Sequence, residues 1–473
     1  MSQMSAIANR SRTVNGVPMS LCDLGYCDVG LDDNWQACGK YGPNGYSFHD
    51  ANGRPVVNQQ RFPDFIAMTT YAHSLGLTAG WYGNNCICSD HCSDETCYQG
   101  DVDAVMDYGF DSIKLDGCGR ELDLTLYAQL FNNTGKSILI ENCHWGGTIP
   151  NATCEKPLPS LLFRRRRDQP PLTFNPTNPY EHRDPHVPNH KTPTGCPWNY
   201  YRSSGDIRAS YDAVVGNLQT TIPLAQQGLS TPGCWAYPDM LEVGCQHGPG
   251  GPSDPGLSLV EARTHFNAWC IVSSPLILSH DLTNDTISDA VWPIISNQEA
   301  LAVSKAWAGE SGTVFKSASE TVMLGKGAPS VAAWQWFSKK IDDSSVAVLL
   351  MNHGASTVSW TREFSQIPRR PGARPAVIEN LTPETAAHPL SPSHLVTLSL
   401  CLVSPRSQPR GRARLRRHLL VQAARHQRAR GRRHRLRLRA REQRGESRRA
   451  VLADHQGVKR RERERAQNQR GKW

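Results

Sequence analysis

Short apolar runs that end in polar residues alternate with segments of helical periodicity over the first 300 residues, and this alternation constrains the fold most. The runs are "YCDVGLDD", "GLTAGWYG", "FDSIKLDG" and "SILIENC", and two of the helical segments between them are "FPDFIAMTTYAHSLG" and "VDAVMDYG". Strands that alternate with helices form parallel sheets with crossover helices. The polar residues follow each run, at the edge where parallel α/β folds bind ligands. The sequence therefore predicts an α/β fold, a (β/α)-type barrel over residues 1–310.

The pattern changes after the barrel region. The segments "SVAAWQWFS", "SSVAVLLMNHG" and "STVSWTREF" are rich in strand formers and are separated by turn residues, which predicts an antiparallel β-domain over residues 311–403. Residues 163–195, inside the barrel region, are rich in Pro and His and have hardly any periodic apolar position. A structureless segment of that length is unusual inside a barrel. We interpret it as a disordered insert, either a surface loop or, as we favour, translated non-coding sequence.

The net positive charge of the chain comes from its C-terminal tail. The whole chain carries +9, but residues 404–473 hold 25 Lys and Arg against 5 Asp and Glu, and the remainder is acidic, with a net charge of −11. Few large apolar residues occur in the tail, so its composition predicts disorder. An RNA-binding or membrane-surface arm is one interpretation of such a tail. We favour a solvated tail or an out-of-frame translation, and expect no nucleic-acid or membrane partner.

The cysteine content indicates an oxidising compartment. Fourteen of the fifteen cysteines precede residue 271, a density typical of disulfide-bonded proteins. N-glycosylation sequons agree with this, at Asn9, Asn132, Asn151, Asn284 and Asn380. The first residues lack the apolar core of a signal peptide, and no apolar run is long enough to span a membrane. We therefore expect either an intracellular protein or a chain without its natural N-terminus.

Asp116 ends a strand in the segment "SIKLDGCG", residues 112–119. Side chains alternate between the faces of a strand, so Ile113 and Leu115 share one face and Lys114 and Asp116 the other. In a barrel the apolar pair would pack outward on helices, and the polar pair would point into the interior. The Lys114 ammonium should lower the pKa of the Asp116 carboxyl and keep it ionised, as a nucleophile requires. A structural ion pair closing the barrel end is the alternative.

A second carboxylate, Asp206, lies in "YRSSGDI", four residues after Arg202. Two carboxyl groups about 5 Å apart on either side of one bond are the apparatus of a retaining glycosidase, and wider spacing gives inversion. A sugar ring is polar at its edge and apolar on its face, so carboxylates, cations and aromatic rings suit it. Further candidates of this kind are Asp32, Asp33, Tyr82, His144, Trp145 and Asp239.

The segment "CICSDHCSDETC" suggests either zinc or disulfides. Cysteine and histidine clusters at short spacing bind zinc, but the paired CxxC pattern is absent. In a chain that carries sequons, disulfides are favoured over a metal. Cys118 would then pair with Cys86 or Cys88 and hold the loop beside Asp116.

The motifs "LDDNW", "GWYGN", "IKLDGCG", "YRSSGDI", "WAYPDMLEVG" and "FNAWCIVSSPLILSHDL" occur in this order, and together they resemble the α-galactosidase (melibiase) family, glycoside hydrolase family 27. The resemblance covers about residues 10–160 and 196–400. It implies a TIM (β/α)8 barrel followed by an antiparallel β-domain, with retaining hydrolysis of terminal α-galactosyl groups and no metal or organic cofactor. The implied partners are saccharides that contain α-galactosides, a homodimer is compatible with it, and the implied location is secreted, vacuolar or lysosomal.

The resemblance also assigns roles to residues. Asp116 would be the nucleophile and Asp206 the acid/base, kept neutral at rest by a less polar setting. Cys143 would pair with Cys196 across the insert. The residues that would hold the sugar hydroxyls are Asp32, Asp33, Tyr82, Lys114, Arg202 and Asp239.

Three departures from the family pattern stand out. The first barrel strand would precede "IANRSRTVNGVPMSLCDLGY", so the expected barrel lacks that strand and has two sheet edges. His144 stands where the family has Glu or Ser to read the sugar's 2-position, which leaves α-N-acetylgalactosaminides and β-L-arabinopyranosides as alternative substrates. The insert precedes Asp206, and a displacement of about 1 Å there could cost about 100-fold in rate. A sugar-binding protein without catalysis and a nucleic-acid-binding protein are the competing classes.

Overall fold

The computed structural model describes residues 1–38, 47–83, 88, 95–119, 121–150, 196–247, 254–325, 330–343 and 345–354, and the backbone of four further strands between residues 358 and 423. One compact unit comprises residues 1–389 and 395–424, and the other, residues 390–394 and 425–473, lies outside the described residues. The predicted insert at 163–195 also lies outside them.

The first part of the chain alternates strands and helices. It opens with a helix, a hairpin and a short helix, which are α1 (Ser2–Ala8), β1 (Arg12–Val14), β2 (Val17–Met19) and α2 (Leu21–Leu24). The alternating elements follow as β3 (Asp28–Gly30), α3 (Phe65–Ser74), β4 (Thr78–Gly83), α4 (Glu95–Tyr108), β5 (Ser112–Asp116), α5 (Leu124–Asn133), β6 (Leu139–Cys143), β7 (Tyr200–Arg202), α6 (Tyr211–Gln226) and β8 (Trp235–Tyr237). Three helices close this part, α7 (Leu259–Ile271), α8 (Asp285–Ile295) and α9 (Gln298–Lys305).

Strands β3 to β8 form one parallel sheet in chain order. Helices lie between most successive strands, as crossover connections of a barrel require. Beyond β8, Leu241 forms a parallel bridge with Leu278, which extends the pairing past the sixth strand. Within the described ranges, β3 is the other edge of this sheet. The parallel, barrel-type architecture expected from the alternation is confirmed.

Local sequence accounts for the helix starts and for the strand faces. Asp64, Asp123 and Ser258 each accept a backbone N–H in the first turn of α3, α5 and α7, which satisfies donors that a helix leaves unpaired. In β5, Ile113 and Leu115 are buried on the apolar face, as the alternation predicts. Both residues belong to the hydrophobic core between the sheet and its helices.

The second part of the chain is antiparallel. Its strands are β9 (Thr313–Ser317), β10 (Thr321–Met323), β11 (Ser330–Ala332), β12 (Trp334–Lys340), β13 (Val346–Asn352), β14 (Val358–Glu363), β15 (Val377–Asn380), β16 (Cys401–Ser404) and β17 (His418–Ala423). Five of them form a sheet in the order β15-β16-β13-β12-β9. The antiparallel β-region predicted downstream of the barrel is thus present, and its exact domain bounds, 311–403, stay a prediction.

Antiparallel pairing extends into the tail that composition predicts to be disordered. Strand β17 pairs along its whole length with β14. Its sequence, "HLLVQA", is a short apolar run within the Arg-rich tail, and β14 offers it backbone partners. These six residues therefore form a paired strand within the tail, and the disorder of the tail as a whole stays a prediction. The rest of the tail, residues 405–417 and 424–473, lies outside the described residues.

Helix α6 and the antiparallel sheet are joined by part-buried polar contacts. Gln219 on α6 and Gln335 on β12 exchange two amide hydrogen bonds, of 3.0 and 2.8 Å. Because buried amides are costly unless paired, this reciprocal pair fixes how α6 and β12 meet. None of the described helices is both long and apolar enough to cross a bilayer.

Candidate active site

The candidate residues gather at the carboxyl ends of the parallel strands. Asp116, Cys143 and Arg202 are the last residues of β5, β6 and β7. Tyr82 is next to last in β4, and Asp239 follows β8 by two residues. Parallel strands end at one edge of the sheet, so residues far apart in sequence meet there. Functional sites of barrels lie at this edge.

Asp116 is buried, with 6% of the residue exposed. Its Oδ2 accepts a hydrogen bond from the Tyr82 hydroxyl at 2.7 Å, and its Oδ1 accepts one from the Cys118 backbone N–H at 3.3 Å. The two donors orient the carboxylate toward one geometry. A carboxylate fixed in this way can attack an electrophilic carbon that binds next to its oxygens.

The pKa of Asp116 departs from the sequence expectation. Burial raises the pKa of this carboxyl, and the Tyr82 hydrogen bond and the Lys114 charge offset the effect only in part. The expectation that Lys114 would lower it was wrong in net direction, because desolvation disfavours the ionised form more strongly. The Lys114 ammonium donates to Asp32 Oδ2 at 2.7 Å instead.

Lys114 and Asp32 form a pair at the mouth of the sheet. The Asp32 side chain is 61% exposed and that of Lys114 17%. Burial opposes ionisation of Asp32, yet the Lys114 charge and hydrogen bond hold its pKa below the usual range. The Lys114 Nζ also lies 5.3 Å from the centroid of the Tyr82 ring. Asp33 follows Asp32, and its carboxylate accepts the Asn34 N–H at 2.7 Å.

Arg202 connects the second carboxylate to the sheet. Its Nη2 lies 2.9 Å from both Asp206 Oδ1 and Asp239 Oδ2. Arg202 is 2% exposed, whereas the Asp206 side chain is 66% exposed. The less polar setting expected for Asp206 is therefore wrong: its carboxylate faces solvent and an arginine.

The loop after β8 holds Asp239 in a strained conformation. Asp239 has a φ of 83°, in the left-handed region that non-glycine residues rarely adopt. Its Oδ2 accepts the Ile207 N–H at 2.8 Å, and its carbonyl accepts the Trp269 indole N–H at 2.6 Å. These bonds hold the conformation, and strain of this kind is concentrated at functional sites.

His144 is buried beside the nucleophile candidate. Its Nδ1 lies 3.1 Å from Thr148 Oγ1, and burial lowers its pKa to about 4. A Cβ added at Gly117 would lie 3.2 Å from the His144 Cα, so the turn after Asp116 packs directly on this residue. Contact between His144 and the substituent at the sugar's 2-position stays a prediction. The neighbouring candidate Trp145 has a φ of 50°.

Sequence reasoning missed Glu141 and the place of Cys143 in the site. Glu141 on β6 is buried, and its Oε2 accepts the Tyr200 hydroxyl at 2.9 Å. Burial raises the pKa of Glu141, while Lys114 and Arg202 oppose the rise. Cys143 contacts both Asp116 and Arg202. Alternation along "LIENC" could have found them, because it puts Glu141 and Cys143 on one face.

The disulfides differ from those expected. Cys88 pairs with Cys38, so the alternative Cys88–Cys118 pairing was wrong, and Cys118 is disulfide-bonded elsewhere. Its pairing with Cys86 stays a prediction, because Cys86 lies outside the described residues. Cys196 pairs with Cys234.

The implied Cys143–Cys196 bond is therefore also wrong, and Cys143 is a free thiol. Neighbouring strands explain the difference: Cys196 precedes β7 and Cys234 precedes β8, which are paired in parallel. A further disulfide joins Cys22 and Cys27. These bonds are consistent with an oxidising compartment outside the cytosol.

The described part of the chain shows no group of three His, Cys, Asp or Glu residues arranged to hold a metal ion. Within the cluster "CICSDHCSDETC", Cys88 and Cys97 are both disulfide-bonded. A cysteine sulfur that forms a disulfide is no longer a thiolate, and the thiolate is the form that ligates zinc. The disulfide interpretation of these two cysteines is therefore supported over the zinc interpretation.

Comparisons with known proteins identify the family of the chain. The sequence matches the family described as Alpha galactosidase A (Melibiase_2) over residues 16–156 and 172–306. It is 24% identical over 366 residues to the alpha-galactosidase of Cyamopsis tetragonoloba, covering 75% of this chain and 71% of that protein. It is 27% identical over 337 residues to the alpha-N-acetylgalactosaminidase of Gallus gallus, covering 68% and 69%.

The fold also resembles a solved structure. The crystal structure of alpha-galactosidase I from Mortierella vinacea aligns with a TM-score of 0.56 at 20% identity, covering 90% of this chain and 89% of that one. The family match spans more than half of the sequence. The chain therefore belongs to the α-galactosidase A (Melibiase_2) family, glycoside hydrolase family 27.

Proposed function

We propose that the protein is a retaining exo-glycosidase that hydrolyses terminal α-D-galactosyl residues of oligosaccharides or glycoconjugates. The observation that carries the proposal is a pair of unequal carboxylates at one edge of the sheet. Asp116 is buried and held by two hydrogen-bond donors, and Asp206 is exposed and paired with Arg202. Two carboxyl groups at one site are what double displacement requires.

In the first step, an Asp116 oxygen attacks the anomeric carbon. The bond from that carbon to the leaving oxygen breaks, and the protonated Asp206 carboxyl gives its proton to the leaving oxygen. A glycosyl ester on Asp116 results. In the second step, the Asp206 carboxylate takes a proton from water while the water oxygen attacks the same carbon, which releases the sugar and restores both carboxyl groups.

The surrounding groups suit the edge of a sugar ring. Lys114 with Asp32, and Arg202 with Asp239, present paired charges that can exchange hydrogen bonds with hydroxyl groups. The Tyr82 hydroxyl is committed to Asp116, so its ring supplies an apolar wall. Each of these groups already has a partner within the protein, which limits the reorganisation needed on binding.

Hydrolysis of a panel of nitrophenyl glycosides tests the activity. We expect turnover of the α-galactoside, release of the α-anomer as seen by proton NMR at early times, and a loss of about 10⁴-fold or more in Asp116→Asn. No turnover of any α-galactoside would contradict the proposal. Galactose binding that Asp116→Asn leaves unchanged, with no turnover by the wild-type protein, would favour a sugar-binding protein.

Activity on α-N-acetylgalactosaminides is a second candidate, which His144 favours. It replaces the Glu or Ser of the family pattern, and its ring is uncharged near neutral pH because burial lowers its pKa to about 4. An uncharged ring tolerates an acetamido group better than a carboxylate would. A higher kcat/KM for the 2-acetamido substrate than for the α-galactoside in the same panel would select this activity, and β-L-arabinopyranosides are tested alongside.

The disulfides and sequons support a location in an oxidising compartment, which we assign as secreted, vacuolar or lysosomal. Asn132 and Asn284 are exposed, so their sequons are accessible to glycosylation. Treatment of the natural protein with an endoglycosidase should lower its apparent mass. An unchanged mass would contradict glycosylation at these sites.

A further inference from the structure

We infer that the free thiol of Cys143 is a positioning residue that links the two candidate catalytic carboxylates, an inference that rests on the proposed function. Cys143 ends β6, and its Cα is the register partner of Asp116 on β5. It is 1% exposed. The thiol is therefore held beside the nucleophile candidate by the sheet itself.

The thiol contacts one group on each side. The Cys143 thiol donates a hydrogen bond to Asp116 Oδ2, with 3.9 Å between Sγ and Oδ2. The same Sγ accepts a hydrogen bond from Arg202 Nη1 at 3.4 Å. Arg202 in turn holds Asp206 and Asp239 through its Nη2 at 2.9 Å each. A continuous path of hydrogen bonds and ion pairs thus runs from Asp116 through Cys143 and Arg202 to Asp206.

A thiol suits this position because it can accept one hydrogen bond and donate another. Burial raises the pKa of Cys143 well above its usual range. The sulfur therefore keeps its proton and can donate a hydrogen bond to Asp116. Bonds in such a chain polarise one another. Cys143 therefore stabilises the ionised Asp116 while it fixes the guanidinium that orients Asp206.

A disulfide at Cys143 would remove the donor. The sulfur of a disulfide has no proton, so Asp116 would lose this hydrogen bond while it keeps those from Tyr82 and Cys118. The pairing of Cys196 with Cys234 leaves the Cys143 thiol free for its role. Whether the Cys143 sulfur is a free thiol or part of a disulfide therefore distinguishes the arrangement with this hydrogen bond from the one without it.

Three variants test the role in the whole protein. Cys143→Ala removes donor and acceptor, Cys143→Ser keeps both, and Cys270→Ala is the matched control, because Cys270 is also a free, buried cysteine. We expect Cys143→Ala to lower kcat about tenfold with KM changed less than twofold. Its acid limb in kcat/KM should move up by about half a pH unit, since a donor to the charged form is lost.

Cys143→Ser should keep kcat within about threefold of the wild-type value and keep the acid limb in place, because its hydroxyl replaces both hydrogen bonds. Cys270→Ala should leave both unchanged. If Cys143→Ala behaves like Cys270→Ala, or if its loss of activity follows its loss of melting temperature without a shifted acid limb, the inference is overturned while the proposed function stands.

Disulfide mapping provides a test that does not need activity. Free thiols are alkylated in denaturant without reductant, and peptides are then identified by mass spectrometry. Alkylated Cys143 together with a Cys196–Cys234 peptide supports the inference. A Cys143–Cys196 peptide would overturn it even in an active enzyme, whereas a wild-type protein that turns over no glycoside would overturn the proposed function, and mapping would still decide the state of Cys143.

Discussion

Asp116 combines burial, which disfavours its charge, with hydrogen bonds that favour it. Burial is the larger effect and raises its pKa, while the Tyr82 hydroxyl at 2.7 Å is the largest opposing group. The nucleophile candidate is therefore poorly solvated, and a poorly solvated carboxylate is more reactive toward carbon. The ionised fraction of the Asp116 carboxyl at a given pH therefore depends on the hydrogen bonds that it accepts.

Tyr82→Phe tests this balance at the scale of one residue. A hydrogen bond to the ionised form lowers a pKa, so its removal should raise the pKa of Asp116 further and move the acid limb of kcat/KM to higher pH. We expect kcat to fall about 10-fold to 100-fold, as for a lost bond to a charged group. Tyr71→Phe, which loses only an exposed contact with Ser5, should match the wild type. An unmoved acid limb in Tyr82→Phe would contradict the assignment.

The element that precedes β5 is positioned by a close backbone contact. In α4, a Cβ added at Gly100 would lie 1.9 Å from the Gly53 carbonyl oxygen. Helix α4 therefore lies directly against the turn at Gly53, where φ is 76°. Only glycine permits this approach. Because α4 leads into β5, the contact helps to set where Asp116 emerges from the sheet.

Gly100→Ala should destabilise the protein by about 2 kcal/mol or more, since the helix and the turn must separate. Gly216→Ala is the matched control in another helix: nothing lies within 4 Å of its added Cβ, so better helix propensity should stabilise it by up to about 1 kcal/mol. Urea unfolding followed by circular dichroism gives both values. Equal effects of the two substitutions would show that the contact is not structural.

A buried lysine joins the antiparallel sheet to helix α9. Lys339 on β12 is 1% exposed, and its Nζ donates to the carbonyls of Val303 and Ser304 at the end of α9, at 2.7 and 3.0 Å. A cation suits the negative end of a helix, but burial dominates and lowers the pKa of Lys339 to about 7. Among the described residues, no carboxylate forms an ion pair with it.

Lys339→Met should change how the stability of the whole molecule depends on pH. Between about pH 7 and pH 10, the unfolded chain binds a proton at this lysine that the folded protein does not. The unfolding free energy of the wild type should therefore rise with pH relative to that of Lys339→Met in this window, and the difference should be flat below about pH 7. Lys340→Met, whose wild-type ammonium pairs with Asp343, is the control. The same slope for both variants would contradict the prediction.

The sequence predicted the parts of the site that follow from local order. Alternation along "SIKLDG" put Lys114 and Asp116 on one face, and the positions of polar residues after apolar runs put them at one edge. It did not show that Lys114 bonds Asp32, that Glu141 lies between charged neighbours, or that Arg202 holds two carboxylates. Those contacts join residues of different strands or loops. The spacing of residues along the sequence does not predict how far, or in which direction, a side chain reaches across a sheet.

The sequence by itself determined the class of fold, because strand and helix periodicities are properties of short segments, and its ordered motifs determined the family. The tertiary structure alone decided the pairing of Cys196 with Cys234, the free thiol of Cys143 and the raised pKa of Asp116. Disulfide pairing depends on which strands become neighbours, and a pKa depends on how much water folding removes. Neither quantity exists until distant segments pack together.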